Sequence, residues 1–207
     1  MDFTVASYAV WRAEGVDGTV AKPDVSFIPP LERRRLTGVE RAALSVAWQV
    51  RPEGEVPVVF ASRWGEIGVT LKLMEQFHAD REMSPAGFSA SVHNAAPGAF
   101  SLLTQSHAPY TAIAARERSL EAGLLEALTQ GAVVFVFAEE ATPAFYAPAF
   151  GPLQPACALA VRLEPGGPCR ADFRPAECPP VSFDSADAFF SGRADALEAA
   201  SFTLTRA

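Results

Sequence analysis

The chain has 207 residues, 49% of them hydrophobic, and a formal net charge of −7. That balance suits one globular domain with a sizeable core, or one domain with an extension. It argues against nucleic acid as a main partner, because the basic residues are dispersed apart from the knot Arg33, Arg34 and Arg35. No apolar run approaches the ~20 residues of a membrane span. The opening, MDFTVASYAVWR, has neither the basic start nor the continuous apolar stretch of a secretory signal, so a cytoplasmic protein is expected.

Residues 3–12 read as a strand of loose period two, followed by a loop containing SFIPPLERRR. Val39, Ala43, Val46 and Val50 fall at helical spacing over 38–50. VPVVFAS (56–62) is a short apolar run of the kind a strand buried on both faces shows. Ile67, Leu71 and Met74 make a helical stripe within 65–79. MSPAGFSASVHNAAPG reads as a loop of small residues, and AFSLLTQ as a short helix. Over 117–130, Leu120, Leu124, Leu125 and Leu128 share a helix face, with Gly131 as the stop. AVVFVFAEE (132–140) and ACALAVRL (156–163) are two further buried strands.

Strands alternating with helices predict an α/β layer around a largely buried sheet. Two units are expected: residues 1–163, and a Pro/Gly-rich extension over 164–207 that crosses the surface and holds a short helix. Three cysteines give no disulfide framework. Cys157 reads as a buried apolar residue. Cys169 and Cys178 lack the spacing of zinc ligands.

The phosphate and dinucleotide fingerprints GxGxxG and GxxxxGK[ST] are absent. GFSAS (87–91) ends in Ser91 where the GxSxG motif needs glycine. His78, His93 and His107 offer no pair at metal-ligand spacing, so neither metal nor cofactor is expected. Ser91 and His93 stand two residues apart. On an extended chain they would point the same way, as a nucleophile and its base, but no acid is placed to orient the imidazole. The alternative is that Ser91, His93 and Asn94 satisfy backbone groups in a tight loop.

Three segments together resemble the ketosynthase branch of the thiolase-like fold. MSPAGFSASVHNAAPGAFSLL, with Ser84, Pro85, Asn94 and Gly98, is similar to a stretch of β-ketoacyl synthases. TAIAARERSLEAGLLEALTQGAVVFVFAEEA resembles the strand-elbow-helix-strand block that carries their catalytic cysteine, and PVVFASRWGEI resembles the second core strand. The resemblance covers about residues 3–163. The SVHN loop and the arginine knot look closer to half-length chain length factors, which accompany a complete ketosynthase in aryl polyene and xanthomonadin-type pigment biosynthesis. The implied fold is the N-terminal half of a thiolase-like domain, a mixed sheet with helices packed on it.

The nucleophile position falls on Ile113, or on Ala114 when counted back from Gly131 without a gap. Neither side chain can form an acyl thioester, and the half that carries a ketosynthase's histidines has no room here. The resemblance therefore implies a non-catalytic subunit, paired with a complete ketosynthase and shaping its acyl tunnel. Phe88, Ala90, Ser91, His93 and Asn94, with Met74, are the expected partner and tunnel residues. Arg33, Arg34 and Arg35 are the expected patch for an acyl carrier protein. Two other readings stand beside this one: a small acyl hydrolase or acyltransferase using Ser91 and His93, and a purely stabilising scaffold.

Overall fold

Strand β4 (Val133–Glu139) sets the architecture. Its side chains alternate between two cores: Val133, Phe135 and Phe137 join one apolar cluster, and Val134, Val136 and Ala138 the other. A strand apolar on both faces is stable where both faces are covered, and every residue from Val133 to Ala138 is buried. The computed structural model describes residues 1–13, 22–150 and 154–206, the side chains of 147 and 150 excepted.

Around β4 lie β1 (Asp2–Arg12), β2 (Val58–Ala61), β3 (Tyr110–Ile113), β5 (Cys157–Pro165), β6 (Cys169–Asp172), β7 (Ala196–Glu198) and β8 (Thr203–Arg206). They form an eight-stranded mixed sheet in the order β3-β2-β4-β5-β1-β6-β8-β7. β3, β2 and β4 run parallel, and β5 and β1 continue antiparallel. The helices are α1 (Pro30–Arg33), α2 (Gly38–Val50), α3 (Ile67–Asp80), α4 (Pro85–Ala90), α5 (Ala95–Thr104), α6 (Ser119–Thr129), α7 (Ala147–Phe150) and α8 (Phe183–Phe190).

One face of the sheet is covered by α2 and α5. A capping box starts α2: the Glu40 N–H donates to Thr37 Oγ1, and the Thr37 N–H donates to the Glu40 carboxylate. Small residues on the helix (Ala42, Ala43, Ala47) and on β5 (Ala158, Ala160) share one core, which lets helix and sheet approach closely. The other face is covered by α6 and the C-terminal segment. A Cβ at Gly123 would stand 2.5 Å from the Ala61 Cβ and 2.6 Å from the Phe135 ring, so only glycine permits this contact between α6 and the sheet.

The expected strands and the helices over 38–50 and 117–130 all form. Four sequence readings differ from the structure. The stretch 84–98 is not a loop throughout, because Ser84 caps α4 by accepting from the Gly87 N–H and Pro85 fits the first helical turn. The stripe on α3 is only partly inward: Ile67 and Leu73 are buried, whereas every residue from Met74 to Asp80 is exposed. The fully buried cysteine is Cys169, while Cys157 is half-buried.

The segment past Glu164 does not merely cross the surface. It contains the expected short helix, α8, but it also adds β6, β8 and β7 to the sheet and sets Phe189, Phe202 and Leu204 into the α6-side core. A polar clamp ties it to β1. The Tyr8 hydroxyl donates to Asp187, Arg12 Nη2 and Arg193 Nη2 reach the same carboxylate at 2.8 and 2.6 Å, and Arg12 Nη1 reaches Asp184 at 2.7 Å. Burial pushes the Asp187 carboxyl up, but hydrogen bonds from Tyr8, Arg12 and Arg193 outweigh it and hold it below the usual range.

Asp187→Ala leaves a half-buried phenol and two partly exposed guanidiniums without their shared acceptor and is expected to cost about 1–3 kcal/mol. Asp184→Ala, at an exposed site, is expected to cost less than about 1 kcal/mol. Urea unfolding of the two variants checks the difference; equal effects would remove the clamp from the fold's stability.

Candidate functional site

In an open parallel sheet, ligands bind outside the carboxyl ends of the strands. In this chain β2, β3 and β4 end together, and three connections meet there. After β2, Ser62 to Glu66 form a tight loop into α3, with Gly65 at φ +53°. After β3, Ala114 and Ala115 lead into a 3-10 turn at Arg116–Arg118 and then α6. β4 ends on Glu139, followed by Glu140.

Carboxylates hold the β2–α3 loop. Glu139 accepts from the Ser62 hydroxyl at 3.1 Å and from the backbone N–H groups of Arg63 and Trp64. Glu140 accepts from the Gly68 N–H at the first turn of α3. Glu66 is 3% exposed: its Oε1 accepts from Thr37 Oγ1 at 2.8 Å, and its buried Oε2 has no hydrogen-bond partner among the described residues. Burial pushes the Glu139 carboxyl up to about 7, against the hydrogen bonds it accepts. Burial also pushes Glu66 up to about 8; the Thr37 hydroxyl opposes this, and the charges of Glu40 and Glu140 add to it.

A pocket of about 350 Å³ opens beside this loop, lined by Arg63, Arg116, Glu139, Phe137 and, from the C-terminal segment, Val181 and Phe183. Arg63 pairs with Glu117 at 2.7 Å and lies over the Trp64 ring. The first turn of α6 binds the C-terminal segment: Arg118 bridges Glu121 and the Cys178 carbonyl, and Glu121 accepts from the Ala200 N–H.

The strand-to-helix turn has its one left-handed residue at Arg116, φ +54°. A nucleophile elbow is a sharp, strained turn of this kind between strand and helix. Ile113 is the last residue of β3, paired with Ala61, and Ala114 follows directly. The strained position is thus a guanidinium two residues beyond Ala114. Cys157, the thiol that senses the Glu139 charge, is pushed up to about 12, chiefly by burial. A thiol so placed is not a nucleophile at neutral pH.

The structure does not gather the other sequence candidates into one centre. Ser91 Oγ donates to the Phe88 carbonyl at 2.8 Å. His93 Nε2 lies 3.0 Å from the Ser62 carbonyl, so it is the protonated donor nitrogen, and the ring edge meets Phe60. Ser91 and His93 are not hydrogen-bonded to each other. Asn94 opens α5 without a side-chain cap, and Ala90 is half-buried in α4. Met74 and Phe88 are 58% and 59% exposed. Arg33 is tied by Nε to the Ile28 carbonyl, while Arg34 and Arg35 are exposed. Of these, His93 touches the loop that Glu139 holds, as does Ile113, whose carbonyl accepts from the Ser62 N–H at 3.1 Å. The sequence reading missed Glu66, Glu139 and Arg116. Its one available signal was the pair of acids directly after the buried run VVFVFA.

Residues 8–195 match the family described as the N-terminal domain of β-ketoacyl synthase. The chain belongs to this family. No curated protein matches it. Among solved structures, a ketosynthase (ApeO) in complex with its chain length factor (ApeC) from Xenorhabdus doucetiae matches with TM-score 0.81 and 21% identity, covering 100% of each chain. The ishigamide ketosynthase/chain length factor matches with TM-score 0.63 and 15% identity, over 93% of this chain and 72% of the other. A type II acyl-carrier protein in complex with its ketosynthase, AntDE:AntF, matches with TM-score 0.55 and 14% identity, over 77% and 59%. These likenesses establish the ketosynthase-type, thiolase-like fold. Among the described residues no helix is long and apolar enough to cross a membrane, and no group of His, Cys, Asp and Glu would hold a metal.

The raised carboxyls of this ketosynthase-family site carry a sign. Their unfolded value is 4.5, so the stability they contribute is full below about 4.5 and is lost as pH rises through about 7 and 8. The melting temperature is expected to fall from pH 6 to pH 9. Glu66→Gln, which cannot ionise, should flatten that fall and gain on the order of 3 kcal/mol at pH 9 relative to the parent. Melting curves across this range check it; parallel profiles for the two proteins would show that Glu66 does not titrate there.

Proposed function

We propose that this chain is the non-catalytic, chain-length-determining partner of a complete β-ketoacyl synthase in type II polyketide-like chain building. The observation that carries the reading is the free edge of β3. Among the described residues this strand ends the sheet and pairs with β2 alone, and its Tyr110 is exposed. An unpaired edge is a template for another strand, and a partner's strand would extend the sheet across an interface. The turn after β3 supports the non-catalytic part of the proposal: it offers Ile113, Ala114, Ala115 and Arg116, none able to carry an acyl group as a thioester. The solved ketosynthase and chain length factor pairs of similar fold give the partner its class.

In this reading the exposed apolar side chains of α3 and α4 face the partner's acyl tunnel. Phe88 and Met74 stand out there, with Phe77, Met83 and Val92 also exposed. A bulky side chain at the end of a tunnel limits how many carbons fit, because packing is sensitive to single methylenes. Arg33, Arg34 and Arg35 are proposed as the patch that receives an acyl carrier protein. The Ser91–His93 hydrolase finds no support in the hydrogen bonds of either side chain.

Co-expression with a ketosynthase from the same gene neighbourhood, tagged on one chain, is expected to yield a stoichiometric complex. In that complex Phe88→Ala should lengthen the main product by at least one extension step, and Ser91→Ala should leave turnover unchanged. Mass spectrometry of the product reads both. An intact complex with unchanged product length would leave the scaffold role and remove the gate. Chains that purify apart would sink the pairing itself.

A further inference from the structure

Among the described residues, Arg81, Gln105 and Arg116 are the non-glycine residues with positive φ. The first two close α3 and α5, where a left-handed residue commonly ends a helix. Arg116 closes no helix. At φ +54° it precedes α6, with Ala114 and Ala115 before it and no glycine in the turn. Such strain gathers at active sites, switches and ligand clamps, and the cavity beside this residue points to the last.

Arg116 lines the pocket of about 350 Å³ at the carboxyl ends of β2 and β4. Small-molecule sites begin at about this volume. The apolar wall is held in place from behind. Leu120, Phe137 and Val181 are buried, and the Phe183 ring stands 6.3 Å from that of Phe137. The Arg12 guanidinium lies 4.5 Å over the Phe183 ring, and Asp187 holds Arg12.

The acids at the polar wall are already engaged. Glu139 accepts from the Ser62 hydroxyl and from the N–H groups of Arg63 and Trp64, and burial pushes its carboxyl up to about 7, so much of it is neutral near that pH. Glu140 accepts from the Gly68 N–H and faces the charge of Lys72. Glu117 pairs with Arg63 at 2.7 Å, and the charge of Arg116 reaches it as well. Two guanidiniums thus stand beside one exposed carboxylate, and Arg116 itself makes no ion pair among the described residues. One open guanidinium matches one carboxylate, through two parallel N–H···O bonds. An aromatic wall matches a flat ring. A phosphate dianion would set its second charge against Glu117 and Glu139.

We propose that this pocket binds a small aromatic monocarboxylate, with Arg116 taking the carboxylate and Phe137 and Phe183 the ring. The site binds a free molecule and forms no covalent bond to it. It goes beyond the pairing at β3 and does not depend on it.

The test uses the protein in the form in which it purifies, with its ketosynthase where the two co-purify. Calorimetric titration with 2-naphthoate is expected to show saturable binding. 2-Naphthylmethanol keeps the rings and acetate keeps the charge; each should bind at least tenfold more weakly. Arg116→Gly removes the guanidinium and suits the backbone at that position. It should hold or raise the melting temperature while weakening naphthoate at least tenfold. Arg116→Asn, which also tolerates the left-handed conformation, should weaken it as much. Naphthoate binding that survives both variants would overturn the proposal, because the ligand then sits in the ketosynthase or elsewhere on this chain. Absence of saturable binding, equal affinity for the alcohol, or tighter binding of 2-naphthyl phosphate would overturn it too.

Discussion

A sheet buried on both faces needs two covers, and that requirement organises this protein. β4 and β5 place large side chains on one face and mostly small ones on the other. Left bare, either face would expose apolar area worth roughly 25 cal/mol per Å². On the side of α2 and α5 the cover is close, because alanines meet alanines. On the other side α6 covers β2 and β4, and α8 packs over β1 and β7. Polar ties hold this second cover: Asp187 to β1, and Arg118 with Glu121 to the start of α6. With both faces satisfied from within the chain, the β3 edge and the outer half of α3 with α4 are the features on which the proposed pairing rests.

How much of this could be read from sequence followed from the range of the forces involved. β4, α2 and α6 are written in local periodicity and caps, so their residues alone predicted them. The role of the segment past Glu164 was not legible. Its prolines and glycines signal loop, and its buried Phe189 and Phe202 belong to a core shared with residues of α6 and β4 that are far away in sequence. Met74 misled for a related reason: it continues a helical stripe, but α3 is exposed beyond Leu73, and periodicity does not say where a supporting sheet stops.

The site divides in the same way. The absence of a thiol near the end of β3 was plain in the letters TAIAARE. Which residue takes the strained turn was not, because motif alignment pointed to Ile113 or Ala114, while backbone geometry singles out Arg116. Glu66 and Glu139 were invisible because they are charged residues in buried places. Sequence patterns treat acids as surface, and only the arrangement of donors around Ser62 to Trp64 shows why Glu139 is tolerated.

That donor arrangement also links the pocket to the surface proposed for the partner. Glu139 fixes Ser62; the Ser62 carbonyl receives His93; and His93 sits between α4 and α5, whose neighbours carry the exposed apolar side chains. Gly65 belongs to the same contact, since a Cβ there would stand 2.9 Å from the His93 ring. In a working ketosynthase the corresponding end of the sheet is where acyl chemistry occurs. In this chain the same place holds an arginine at the turn and buried carboxyls tied to backbone donors. Groups arranged like this fix the shape of the β2–α3 loop. The physical sense of the proposed role lies there: the fold keeps the rigid end of the sheet and uses it to hold α4, and with it Phe88, in a set position against a neighbour.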